Sequence, residues 1–274
     1  MGARHWTLDD IPWADFDPSQ VDPDILNIVK AASMVEYNGG AYAAYLCKVF
    51  PDDPEFRAAA ESWAKEEVQH GQALARWASL ADPSFDFEDA FKRFNEGYQL
   101  PLRAAEQSLR GSRTGELVAR CIVEVGTSSY YSALGSATQE PALRAVCRHI
   151  AADELRHYKL FYTHLKRYLE QEGIGRWRRV AIALGRINES EDDELSYAYY
   201  AANGAGEPYD RKRWCQAYMR RAYSYYRLPH VERAVAMSFK AAGLNPQSRL
   251  ASWASKLAYR GIRWRWSRLV AAGA

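Results

Sequence analysis

The chain has 274 residues, 48% of them apolar, enough for one large domain or a domain with an extension. No run of 18 uncharged apolar residues occurs, which excludes a membrane-spanning helix, and the start MGARHWTLDDIPW lacks the basic-then-apolar signature of a secretory signal. Net charge is +2 but unevenly split: residues 1–172 carry 18 basic and 26 acidic side chains, a net of −8, whereas residues 173–274 carry 18 and 8, a net of +10, so the last third faces an acidic partner or the chain's own acidic part.

Residues 1–24 are rich in Asp and Pro and hold Trp6, Trp13 and Phe16, which reads as an extended arm lying on the domain. Asp22-Pro23 then opens a first helix over 23–49, with Pro near the first helical position. Around Glu36 its face is small: Ala32, Ser33, Gly39, Gly40 and Ala43. Each Gly inside a helix costs about 1 kcal/mol against Ala, so the space has a use, either a substrate cavity or close helix packing. A second helix over 53–80 starts at the N-cap Asp53 followed by Pro54. It carries Glu67 and His70 on one face, with Glu66 one position round, second to the ligands or solvated. Residues 81–113 form a long connection, and Phe85, Phe87, Phe91 and Phe94 place a short helix in it. The loop Arg110-Gly111-Ser112-Arg113 is basic, either solvated or suited to a phosphate.

A third helix over 114–138 carries Glu124, and Thr127, Ser128 and Tyr131 share its face. Hydroxyls one turn from a metal ligand can handle protons; equally, Thr and Ser often bond the preceding turn's carbonyl. A fourth helix over 141–172 carries Asp153, Glu154 and His157. Asp153 can receive the outer N–H of a ligand imidazole, as metal-bound His usually requires. Gly173-Ile174-Gly175 ends this unit. Further helices are expected near 176–187, 208–226, 229–242 and 247–271, the last with Trp253, Trp264 and Trp266 among Lys and Arg. Such a helix can lie on a membrane surface, but packing of its aromatics on the rest of the chain is the expectation. His5, His149, His164 and His230 have no matching acid and read as structural.

Taken together, the acids and imidazoles follow one order: Glu36, Glu67-x-x-His70, Glu124, Glu154-x-x-His157. Glu36 lies 31 residues before Glu67, and Glu124 lies 30 before Glu154. On a helix, residues i and i+3 share a face. A four-helix bundle holding two metal ions needs one Glu from each of two helices and a Glu-x-x-His from each of the other two. Four carboxylates, two neutral imidazoles and two divalent ions sum to zero, which makes burial tolerable. Mixed carboxylate and imidazole donors suit iron, and manganese fits one or both positions; a soft site would use Cys. The four cysteines form no Cys-x-x-Cys and read as reduced, which points to the cytoplasm. No P-loop, Gly-x-Gly-x-x-Gly or His-Glu-x-x-His motif occurs, and nothing suggests base-specific nucleic-acid binding.

The segments Trp63–Gly71 (WAKEEVQHG) and Ala151–His157 (AADELRH) resemble the two metal-binding motifs of soluble acyl-carrier-protein desaturases. The resemblance covers roughly residues 30–165 and includes Glu66, Asp153 and the spacing of Glu124 to Thr127, where that family places a threonine near its oxygen site. It implies an all-α, ferritin-like four-helix bundle over 25–172 with a basic helical extension, 173–274, packed on it. It also implies a di-iron enzyme that uses oxygen and two electrons, with Glu36, Glu67, His70, Glu124, Glu154 and His157 as ligands. The substrate would be an acyl chain, carrier-bound or free, or another apolar small molecule. Electrons would come from an external donor such as a ferredoxin, and a homodimer is allowed. The segment after Glu36, Tyr37-Asn38-Gly39-Gly40, departs from the family, and the last third has no counterpart, so hydroxylation stands beside desaturation. The alternative is a ferritin- or rubrerythrin-like protein that handles iron or scavenges peroxide.

Overall fold

A computed structural model describes residues 5–98, 101–189, 193–204 and 206–273, the side chains of Pro101 and Arg103 aside. The described residues are all-helical, with no strand: α1 Pro23–Tyr37, α2 Gly39–Val49, α3 Pro54–Ala81, α4 Phe87–Gly97, α5 Arg113–Ala137, α6 Pro141–Glu172, α7 Arg176–Asn188, α8 Asp193–Asn203, α9 Arg211–Ser224, α10 Leu228–Ala242 and α11 Arg249–Ala271. Local chemistry sets the starts of the longest helices. The side chains of Asp22, Asp53, Ser112 and Glu140 accept from backbone N–H groups in the first turns of α1, α3, α5 and α6. Such caps are typically worth about 1 kcal/mol each. Gly173, at φ 64°, ends α6 in the left-handed conformation that glycine adopts without penalty.

Two apolar clusters show how α1, α3, α5 and α6 run. One holds Ile28, Leu74, Trp77, Leu134 and Val146. The other holds Leu46, Phe56, Leu117, Phe161 and Leu165. Following residue numbers, α1 leads from the first cluster toward the second, α3 returns, α5 runs in the same sense as α3, and α6 returns again. Consecutive parallel helices need a connection as long as the helices themselves, and α4 with its flanking turns fills it. Glu36, Glu67, Glu124 and Glu154 all fall between the two clusters along their helices, a polar layer between apolar ones.

Three expectations need correction. The helix expected over 23–49 is two helices, because Asn38 leaves the helical region at φ −80°, ψ 6°. The break sets Gly39 against α3, where a Cβ would lie 2.5 Å from Glu67 Cβ. Helix α8 had no place in the sequence reading. Its acid-rich start looks like a loop, but it buries Ala198, Tyr199 and Ala201 against the first cluster. Helix α11 leaves two of its three tryptophans outside: Trp253 and Trp264 are 63% and 62% exposed, Trp266 is half-buried, and only Ala251 and Ser255 are fully buried. The helix packs on α9 and α10, and its Leu269 reaches the first apolar cluster.

The arm is wound into three short 3-10 turns, and Trp6 is buried. The loop at Arg110–Arg113 is held by acids: Arg110 pairs with Glu189 and Arg113 with Asp52. All four cysteines are free, Cys121 and Cys147 buried, Cys47 and Cys215 half-buried. No described helix is long and apolar enough to cross a membrane.

Candidate metal centre

Helix periodicity brings the two Glu-x-x-His pairs inward from α3 and α6, and Glu36 of α1 and Glu124 of α5 meet them. The result is two groups that could each hold a metal ion: Glu36, Glu67, His70 and Glu154, and Glu67, Glu124, Glu154 and His157. Within each group the donor atoms lie within 4.8 Å of one another, and Glu67 and Glu154 belong to both. All six side chains are buried.

The imidazoles are oriented from behind. His70 Nε2 lies 3.1 Å from Asp153 Oδ2, and His157 Nε2 lies 2.9 Å from Glu66 Oε2. Their Nδ1 atoms therefore face the acids. His70 Nδ1 is 3.4 Å from Glu154 and 3.8 Å from both Glu36 and Glu67. His157 Nδ1 is 3.0 Å from Glu67, 3.6 Å from Glu124 and 3.8 Å from Glu154. Despite this crowding, His70 Nδ1, His157 Nδ1, Glu67 Oε1, Glu124 Oε1 and Glu154 Oε1 are buried without a hydrogen-bond partner. Short distances without hydrogen-bond alignment mean that the groups aim at common points rather than at each other.

Asp153 and Glu66 are themselves anchored. Asp153 accepts from Trp6 Nε1 at 2.7 Å and from Arg156, and Arg156 also reaches Glu66 at 3.0 Å. Burial opposes ionisation of Asp153, but His70, Arg156 and Trp6 outweigh it and hold the carboxyl at about 2. Burial, then the Glu67 charge, pushes Glu36 well above the usual carboxylate range. Burial lifts Glu124 to about 8. For Glu67, burial is overcome by His157 and His70, which hold it well below that range. Burial disfavours the imidazolium of His70 and His157, yet the surrounding carboxylates raise both well above the ordinary histidine value.

Thr127 faces Glu154: its hydroxyl lies 2.7 Å from Oε2, and 3.0 and 3.2 Å from the carbonyls of Glu124 and Val123. One hydrogen serves these acceptors one at a time. Ser128 instead donates to the Ala151 carbonyl. Tyr131 donates to Glu36 Oε1 at 2.6 Å. A cavity of about 410 Å³ opens beside the layer. Glu36, Glu67, Glu124, Glu154 and Thr127 line it on one side, and residues of α9, α10 and α11 such as Tyr218, Met219, Val235 and Ala258 on the other. Of the small face around Glu36, Ala32 and Gly39 line the cavity; Gly40 is exposed and Ala43 is buried in the second apolar cluster.

Two residues of the site escaped the sequence reading. Trp6 stands 147 residues from Asp153, so no local pattern could have joined them. Arg120 lies one turn before Glu124 and lines the cavity; its i, i+4 spacing to that acid was the available signal. Against models of known protein families the chain matches none, and no curated protein matches it.

Proposed function

We propose that this chain is an oxygen-dependent di-iron oxidoreductase on a ferritin-like four-helix bundle, acting on a small apolar or acyl substrate by desaturation or hydroxylation. One observation carries the reading: five buried donor atoms, from both imidazoles and three carboxylates, converge with no hydrogen-bond partner. An unsatisfied buried polar group costs about 1–3 kcal/mol, so five at one place are the mark of a site whose partners are cations. The parallel sense of α3 and α5, with a crossover between them, supports the ferritin-like topology.

The donor set fits the ions. Glu36 and His70 would hold one, Glu124 and His157 the other, and Glu67 and Glu154 would be shared. Oxygen and imidazole donors without thiolate suit iron, with manganese compatible at either position. Bound iron would supply oxygen activation and electron transfer, the chemistry that side chains lack. The chain's own groups do the rest. Asp153 and Glu66 keep each imidazole proton on Nε2, leaving Nδ1 free to ligate. Tyr131 fixes one oxygen of Glu36. Thr127 holds a proton at Oγ1 against Glu154 and can turn it toward the cavity. The apolar lining excludes water and orients the substrate's C–H bonds toward the carboxylate layer. Electrons would come from an external donor such as a ferredoxin, because no cysteine cluster is present among the described residues.

Metal content tests this. Wild-type protein reconstituted with ferrous iron should hold two ions per chain. Glu154→Ala removes a shared ligand and His70→Ala a terminal one, so each should lose at least one ion while staying helical. Full occupancy in both variants would sink the assignment.

A further inference from the structure

Arg120 makes no hydrogen bond to any of the six donors, and its surroundings are unusual for a guanidinium. Its side chain keeps only 9% of its exposure. The rings of Trp63, Tyr42 and Phe161 centre 5.2, 5.3 and 6.0 Å from its guanidinium carbon. Among the described residues it makes no hydrogen bond, and its one carboxylate neighbour is Glu124, with Oε1 4.0 Å from Nε. Glu194, which accepts from the Tyr42 hydroxyl, lines the same cavity. Arg120 lines the cavity. A guanidinium carries five donors and does not deprotonate in proteins. Held in an aromatic cage without an acceptor, such a charge is costly.

The charge count sharpens the point and rests on the di-iron reading. Glu36, Glu67, Glu124 and Glu154 are neutralised by two divalent ions, and Glu124 is then committed to a metal. Arg186 and Glu194 also line the cavity and carry opposite charges, so the lining as a whole is left with one excess positive charge, that of Arg120. We propose that Arg120 anchors the carboxylate of an amphipathic monocarboxylic acid, which is the substrate. The planar fork matches a carboxylate bidentately, and one positive charge calls for a monoanion rather than a phosphate dianion. The apolar body lies along Ile122, Val125, Met219, Ala222 and Val235. The cavity's size, about 410 Å³, lies within the range of small-ligand sites, roughly 300–1,000 Å³. Arg120 precedes Glu124 by four residues, about 6 Å of helical rise, so the carbons presented to the metal layer are those within a few bonds of the carboxylate.

The test is calorimetric binding of decanoate and 4-phenylbutyrate, each against its own amide, to oxygen-free protein with and without iron. Metal is counted on every sample. Wild type should bind at least one acid about tenfold or more tightly than the matching amide. Arg120→Gln should erase that preference with iron still bound, and Arg120→Lys, which keeps the charge but not the fork, should retain part of it. Equal affinity for acid and amide in wild type, no binding of either acid, or an unchanged preference in a folded Arg120→Gln variant would overturn the proposal. Should Arg120→Gln fail to fold, wild type and Arg120→Lys decide it. A failure to bind iron with the acid preference intact would remove the di-iron reading alone, whereas two irons without the preference would remove this one alone.

Discussion

At the scale of single residues, the outer hydrogen bonds of the imidazoles are the most exposed part of the account. Asp153→Asn keeps the shape but replaces the carboxylate facing His70 Nε2, and leaves Trp6 and Arg156 without their acid. Substitutions behind a ligand histidine typically cost 10–100-fold in metal affinity, and a loss of about that size is expected in a competition assay against a chelator. Protonation supplies a second prediction. Glu36, Glu124, His70 and His157 all have pKa values raised above their ordinary ranges by burial or by the facing carboxylates. Near neutral pH the folded metal-free protein therefore binds more protons than the unfolded chain, and its stability falls as pH rises. The lowered values of Glu67 and Glu154 act only in acid, and those of His149, His164 and His230 oppose the trend only below about pH 7, so none reverses the sign above neutrality. Melting temperature of the metal-free protein should drop from about pH 7 to about pH 8, while the loaded protein, having released those protons, should change far less. A metal-free curve that rises over this window would contradict the assignment.

The meeting of these acids and imidazoles was readable because each Glu-x-x-His pair is local and each acid repeats at nearly the same distance upstream. Trp6 was not readable, since it reaches the site from a distant arm, and the free guanidinium of Arg120 depends on what fails to surround it.

At the scale of elements, the close approach of α1 and α3 rests on Gly71. A Cβ there would stand 2.6 Å from the Tyr37 backbone nitrogen and 2.8 Å from the Ser33 carbonyl oxygen. Neither atom can swing aside, so Gly71→Ala should force the helices apart and cost about 1–3 kcal/mol, read as a lower denaturation midpoint. Gly39 and Gly40 separate two uses of small residues. A Cβ at Gly39 would meet Glu67, whereas one at Gly40 meets nothing within 4 Å. Gly39→Ala should weaken metal binding, and Gly40→Ala should leave it unchanged. Helix ends were legible because Asp22-Pro23, Asp53-Pro54 and Gly173 carry their own local chemistry. The break at Asn38 was not, because apolar periodicity continues through it and its cause is the approach of Gly39 to Glu67. Helix α8 escaped for the converse reason: its burial comes from α1, α9 and α4, not from its own pattern.

At the scale of the whole molecule, the charge split is only partly absorbed by pairing between the two parts. Arg221 meets Asp24 at 2.7 Å, but Arg211 pairs with Asp193 and Arg213 with Glu207, inside the basic third. No acid occurs between residues 249 and 274. Arg221→Glu should therefore destabilise by about 1–2 kcal/mol, since it sets two like charges together at a half-buried contact. Reversing the exposed Arg249, Lys256 and Arg260 together should leave the melting temperature almost unchanged, because exposed charges contribute roughly 0–1 kcal/mol each. A large stability loss in the triple variant would return the basic third to an internal pairing role.

The central claim is that four helices hold a metal pair for oxygen chemistry on an organic substrate. It is tested most directly by loading the protein with ferrous iron without oxygen, counting the metal, then admitting oxygen while following absorbance. Two irons per chain are expected, with one oxygen-dependent optical change that saturates at that stoichiometry and is lost in Glu154→Ala. Absent binding, or continued uptake of iron into a mineral beyond two per chain, would contradict it.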